Sequence, residues 1–251
     1  MEPDIKRLSK KFNIQSFEVD VNARLTIPSV CNFFQEVAWE HADALTFGYN
    51  FLKSINKFWV LSRLHIKIHE YALWTEQIEI TTWPKGIEGM FALRDFIITS
   101  MKEPGKKLIS GTSSWLILDM EKHRPQKIES DDHPKYDWKA EDAFIYQAEK
   151  LTAFEDLIIA DSFKAKYSDT DVNKHVNNVK YIQWAIDNLS DKLYFGTYLI
   201  DEIVVNFLSE AAINDEISIL TNSGENLSFI SIFNKTRNKE TCRMKILLRK
   251  S

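Results

Sequence analysis

The chain has 251 residues, 44% of them hydrophobic and 27% charged, which is enough apolar material for a packed core larger than one small module. Its formal net charge of -4 argues against a dedicated nucleic-acid binder, and no run of about 18 apolar residues is present to span a membrane. The two cysteines, Cys31 and Cys242, lie too far apart in sequence for a metal or redox spacing, so a reducing compartment is expected.

In chain order, residues 1–8 hold no apolar core of signal-peptide length, so no leader is expected. Asp20-Val21-Asn22 precedes an apolar run with helical period over 30–44. Leu64-His65-Ile66-Lys67-Ile68 alternates apolar and polar, as a half-buried strand does, and further strands are expected at 77–82, 96–99 and 111–119. Pro84-Lys85-Gly86 and Pro104-Gly105 read as turns. Residues 123–148 break the pattern, with mixed charge, no glycine, and prolines at Pro125 and Pro134. They read as a surface linker with a helical portion near 139–152. A second helix is expected at 179–189, then strands at 203–207, 216–220, 229–233 and 243–248, with a turn at Asn222-Ser223-Gly224.

Two features recur. Asp20-Val21-Asn22 precedes the first helix as Asp171-Val172-Asn173 precedes the second, 151 positions later. The stretch 69–81 resembles 208–220, 139 positions later. The same order in both halves points to a duplication. The two offsets differ by 12, so about as many extra residues are expected in the first half, between 43 and 58. One helix followed by a run of antiparallel strands is an α+β plan, present twice. The expected division is a first half at 1–122, a linker at 123–160 and a second half at 161–251.

The densest polar cluster is Asp171-Val172-Asn173-Lys174-His175-Val176-Asn177-Asn178, just before the second helix. In an extended segment Asp171, Asn173 and His175 project to the same side. A carboxylate, an amide and an imidazole together can supply a base and hydrogen-bond donors. Each also has a plainer reading, as a turn carboxylate, a turn amide or a structural histidine. Asn177 and Asn178 are most simply helix N-cap residues, and Tyr181 and Trp184 core residues. His65 and His69 resemble an i, i+4 metal pair, but four strand residues span about 13 Å, so no metal site or cofactor is expected.

The segment resembles the D-x-N-x-H-V-N-N-x-K-Y-x-x-W signature of the acyl-acyl-carrier-protein thioesterases. It matches at Asp171, Asn173, His175, Val176, Asn177, Asn178, Lys180, Tyr181 and Trp184. Trp59-Val60-Leu61-Ser62-Arg63, Arg94-Asp95-Phe96 and Gly111-Thr112-Ser113-Ser114-Trp115 resemble runs of that family's first half. The resemblance implies a tandem hotdog fold, a long helix wrapped by a curved antiparallel sheet in each half. It also implies hydrolysis of fatty acyl-carrier-protein thioesters, with the acyl-chain pocket in the first half and the catalytic motif in the second. Plant members carry a plastid transit peptide. Its absence here favours a bacterial-type cytoplasmic protein.

The same resemblance places Glu210, in Phe207-Leu208-Ser209-Glu210-Ala211, at a glutamate that the plant enzymes carry on a later strand. There a cysteine follows; here it is Ala211, so no thiol is available for a papain-like nucleophile. No G-x-S-x-G elbow is present either. The adopted reading has Glu210 activate water while Asp171 helps to position it. Asn173, His175 and the helix N-terminus stabilise the oxyanion. Direct attack by a carboxylate through an anhydride is the competing route. Phe33, Phe34, Trp59 and Phe91 are expected in the core, with some lining the acyl pocket. The expected partner is acyl carrier protein with its acyl chain. It would dock on basic residues near the motif (Lys164, Lys166, Lys174, Lys180) or near the C-terminus (Arg237, Lys239, Arg243, Lys245, Arg249, Lys250). No nucleic acid or membrane span is expected, and the chain would be a monomer or homodimer. The alternatives are an acyl-coenzyme A thioesterase and a non-catalytic acyl-chain or carrier-protein binding module.

Overall fold

The computed structural model describes residues 6–122, 124–128, 142–144 and 147–251. These divide into two compact units, Met1–Ala148 and Glu149–Ser251.

In the first unit β1 (Leu8–Asn13) leads to a long helix α1 (Ile27–Ala44) and a short α2 (Tyr49–Ser54). Four strands follow, β2 (Lys57–Ile68), β3 (Gln77–Glu88), β4 (Phe91–Ser100) and β5 (Lys107–Asp119), then the two-residue β6 (Pro125–Gln126). The strand order is β1-β3-β4-β5-β2, every pairing is antiparallel, and β6 pairs with β5. Helix α1 starts where Thr26 Oγ1 accepts the Ser29 amide at 3.2 Å, with a proline in its first turn. Its buried stripe is Ile27, Val30, Cys31, Phe34, Val37, Ala38 and His41, the helical spacing of one apolar face. That face lies on the sheet, and the Phe34 ring stacks on Phe96 of β4 at 4.3 Å.

The second unit repeats the plan. β7 (Ile158–Lys164) precedes α3 (Asn178–Asp187), α4 (Ser190–Tyr194), β8 (Tyr198–Phe207), β9 (Glu216–Ser223), β10 (Leu227–Asn234) and β11 (Lys239–Lys250). The order is β8-β11-β10-β9-β7, again antiparallel throughout. The Asn177 side chain caps α3 by accepting the Val179 amide at 2.9 Å. Val179, Ile182 and Ala185 are buried, as are Ile203, Val205, Ile217, Ile219, Ile230, Ile232, Met244 and Ile246 of the sheet. Each unit is thus the expected helix on an antiparallel sheet.

Several local expectations are corrected. Pro84 and Gly86 lie inside β3, at a register irregularity opposite Arg94 and Leu93, and the chain turns at Gly89 instead. Proline has no N–H for the ladder, and a bulge absorbs that defect without ending the strand. The extra residues of the first half begin earlier than 43, although part of them falls within 43–58. Helices α1 and α3 start at equivalent positions, but α1 runs 18 residues and α3 only 10, so much of the difference is added helix. The helix expected near 139–152 does not form among the described residues; 139–141, 145, 146 and Pro134 lie outside them. Residues 149–151 are held by other strands' side chains. Asn206 Oδ1 accepts the Leu151 amide at 2.9 Å, Asn206 Nδ2 donates to the Glu149 carbonyl at 2.8 Å, and Arg243 Nη1 to the Leu151 carbonyl at 2.8 Å. With its backbone groups satisfied in this way, the segment does not depend on helical bonds.

Of the four aromatics expected in the core, Phe33 and Phe34 are buried and Trp59 and Phe91 are half-buried, each with a different partner. Phe33 packs on Phe12, Phe34 on Phe96, Trp59 on Phe47, and Phe91 lies under the Arg63 guanidinium.

Candidate active site

The loop between β7 and α3 builds the candidate site. Asp171 Oδ1 accepts the Asn173 amide at 2.8 Å, an Asx turn. The Asp171 amide donates to the His175 carbonyl at 2.9 Å, and the Lys174 amide to the Asp171 carbonyl at 3.0 Å. Lys174 sits at φ 63, a left-handed conformation that closes the turn. This corrects the extended segment expected for residues 171–175. Asp171 and His175 face each other across a tight turn, and Asn173 stands exposed at its tip. Local side-chain bonding by Asp171 competed with extended backbone and won.

The loop is pinned to the start of the β8–β9 connection. The Val176 amide donates to the Ala211 carbonyl at 2.8 Å, and the Ala211 amide to the Tyr181 hydroxyl at 3.0 Å. This brings His175 Nε2 to 3.3 Å from Glu210 Oε2, with the two side chains 33% and 38% exposed. Glu210 stands three residues beyond the end of β8 rather than on a strand. Tyr181 is 2% exposed, and burial pushes its phenol upward despite the opposing Ala211 N–H bond. Tyr181 and Trp184 meet edge-on at 5.4 Å, core residues as expected.

Of the four residues singled out, the structure pairs His175 with Glu210 and ties Asp171 to Asn173 through the turn. The helix N-terminus is less open than expected. The Val179 amide is taken by the Asn177 cap and the Lys180 amide by the Asn177 carbonyl. Sequence reading passed over Asp215. Its carboxylate accepts from the Ala212 amide at 2.8 Å, from Asn234 Nδ2 at 2.7 Å and from Arg237 Nε at 2.9 Å, bracing the segment that carries Glu210. The D-E pair at 215–216 carried no signal beyond a strand start.

Charge around the site is uneven. Near the C-terminus Arg237, Arg243, Lys245, Arg249 and Lys250 each pair with a carboxylate. Lys166 and Lys174, beside the motif, make no ion pair among the described residues. The first unit sets Arg94 against two buried polar side chains, His41 and Thr82, a group that sequence reading did not single out. Arg94 Nη1 donates to His41 Nδ1 at 3.0 Å and Thr82 Oγ1 at 3.2 Å, and burial lowers its guanidinium to about 10. No group of side chains among the described residues is arranged to hold a metal ion.

Residues 6–136 match the family model for the acyl-ACP thioesterase N-terminal domain, and residues 155–250 match the C-terminal domain. The chain belongs to the acyl-ACP thioesterase family. Curated relatives similar to this chain include the oleoyl-acyl carrier protein thioesterase 2 of Arabidopsis thaliana, 25% identical over 230 residues. That match covers 85% of this chain and 62% of the relative, so the chain spans about three fifths of the relative's length. Among solved structures it is similar to an acyl-ACP thioesterase from Bacteroides thetaiotaomicron, with 26% identity and a TM-score of 0.87, covering 99% of this chain and 100% of that one. The 12:0-ACP thioesterase from Umbellularia californica shares the fold, with a TM-score of 0.81 at 22% identity over 98% of each chain. These likenesses bear out the tandem hotdog architecture.

Proposed function

We propose that this chain hydrolyses the thioester of a fatty acyl group on acyl carrier protein and releases the free fatty acid. The observation that carries the reading is the His175–Glu210 pair at 3.3 Å, on a loop that matches the family signature. Glu210, half-exposed and in contact with an imidazole, is the base. It takes a proton from water as the water oxygen bonds to the thioester carbonyl carbon. The carbonyl electron pair moves onto oxygen, where the exposed Asn173 amide and the His175 ring N–H stabilise it. Collapse of the intermediate breaks the carbon–sulfur bond, and the thiolate of the carrier leaves and takes up a proton. Asp171 holds the turn that presents Asn173 and His175, and so positions rather than reacts.

The whole sequence needs no thiol at position 211. The chemistry is assigned to residues 161–251 and the acyl-chain pocket to residues 1–122. The names of curated relatives, oleoyl and dodecanoyl among them, support a fatty-acyl group as the substrate's acyl chain. Lys166 and Lys174 beside the motif, which make no ion pair among the described residues, are the charges offered to an acidic carrier protein.

The test is hydrolysis of acyl carrier proteins of graded chain length, beside the matching coenzyme A thioesters, at low and high salt. Glu210→Gln should lower kcat by about 10²–10⁴-fold with the fold intact. Loss of the carrier-bound preference at high salt would support docking through charge. No turnover of any carrier-bound substrate by the unmodified protein would sink the reading.

A further inference from the structure

The two units build the same loop on a shared set of bonds. Asp20 Oδ1 accepts the Asn22 amide at 2.8 Å, as Asp171 Oδ1 accepts the Asn173 amide at 2.8 Å. The Asp20 amide donates to the Arg24 carbonyl at 2.8 Å, as the Asp171 amide does to His175 at 2.9 Å. Ala23 and Lys174 are both left-handed, at φ 59 and 63. The Leu25 amide donates to the Ala72 carbonyl and the Val176 amide to the Ala211 carbonyl, both at 2.8 Å. The braces agree too: Glu76 Oε2 accepts the Leu73 amide at 2.9 Å, and Asp215 Oδ2 the Ala212 amide at 2.8 Å.

On this shared scaffold three positions change together. His175, Glu210 and Tyr181 of the second unit correspond to Arg24, Tyr71 and Val30 of the first. In the first unit the Arg24 guanidinium lies 6.0 Å from the centre of the Tyr71 ring, a cation over an aromatic face and no acid–base pair. Packing alone does not call for a hydroxyl at this point of the helix, because Val30 is fully buried without one. The hydroxyl is present only in the unit that holds the His–Glu pair.

We propose that Tyr181 is a positioning residue for the reaction. Its hydroxyl accepts the Ala211 amide and thereby fixes the peptide that directly follows Glu210. The carbonyl of the same residue takes the Val176 amide, next to His175. Ala211 is therefore held from both sides, and the Glu210 carboxylate is kept within reach of the His175 ring. A carboxylate on a free connection beyond a strand end would sample many rotamers, and a misplacement of about 1 Å can cost on the order of 100-fold in rate. The inference rests on the hydrolase reading above.

The test is a double-mutant cycle of Tyr181→Phe and Glu210→Gln on an acyl-carrier-protein substrate, with melting curves for each protein. Tyr181→Phe should lower kcat by about tenfold or more, change KM little, and shift the pH profile of kcat/KM. In the Glu210→Gln background the same change should have almost no further effect, because no base remains to be positioned. A Phe variant as active as the unmodified protein overturns the proposal while leaving the hydrolase reading intact. So does an equal loss in both backgrounds, which would mark a purely structural hydroxyl. Full activity of Glu210→Gln alone would instead defeat the assignment of the base. If the Phe variant does not fold, hydrogen exchange on the unmodified protein still decides. The Ala211 amide should be protected by about 100-fold or more over its intrinsic rate, and an unprotected amide overturns the proposal.

Discussion

Asp215 illustrates how one residue outside the His175–Glu210 pair supports it. Burial works to raise its carboxyl, but the Ala212 amide, Asn234 and Arg237 together outweigh this, and the net displacement is downward. A folded-state pKa below the unfolded one contributes stability that is present above about pH 4 and lost as pH falls through the folded value. Asp215→Ala is expected to cost about 1–3 kcal/mol at pH 7, because it leaves the buried Asn234 amide without its acceptor. The difference from the unmodified protein should narrow as pH falls below about 4. Urea denaturation at the two pH values measures this, and a pH-independent difference would refute it. Residue types were readable at the site, since a carboxylate, three asparagine amides and an imidazole stood within eight positions. Their geometry was not. Extended backbone would have aligned Asp171, Asn173 and His175, but the Asx bond of Asp171 folded the stretch into a turn.

At the scale of elements, the helices and strands follow hydrophobic period closely because each has one wet and one dry side. Failures cluster where a second interaction competes. Pro84 and Gly86 read as a turn, yet neighbouring strands carried the chain through with a bulge. Mixed charge near 139–152 read as helix, yet Asn206 and Arg243 satisfied the backbone of 149–151 from elsewhere in the chain. Gly111 shows how close helix and sheet lie. A Cβ added there would stand 2.4 Å from Cε2 of Phe34, whose ring is already stacked on Phe96. Gly111→Ala should therefore destabilise by about 1–3 kcal/mol through overpacking. Chemical denaturation checks it, and a neutral effect would mean that α1 shifts freely on its sheet.

At the scale of the molecule, duplication organises everything described. Each unit carries the helix, the antiparallel sheet and the braced loop, and among the described residues only the second places a histidine against a glutamate at that loop. The proposed route uses no thiol. Cys31 and Cys242 are both fully enclosed, and burial pushes both thiols up, away from the reactive thiolate. Native protein exposed to iodoacetamide should keep its full rate of hydrolysis and incorporate no label, while unfolded protein should take up two. Inactivation of the folded protein by the reagent would contradict a thiol-free mechanism.

The repeat, its offsets and the family signature were legible in sequence alone, because each depends on residue order and local period. The location of the extra residues was not, because a longer helix and a longer loop look alike until the helix end is seen. The match between Asp20-Val21-Asn22 and Asp171-Val172-Asn173 was readable as similarity. That it is one loop on a shared set of bonds, with Arg24, Tyr71 and Val30 where the second unit has His175, Glu210 and Tyr181, emerged only in three dimensions. The decisive contacts join residues far apart in the chain: His175 to Glu210, and Tyr181 to Ala211. Local sequence determines the turns and helix caps that present such groups. Which distant backbone they meet is decided by the packing of helix, loop and strand ends, because only the folded chain brings those atoms within hydrogen-bonding distance.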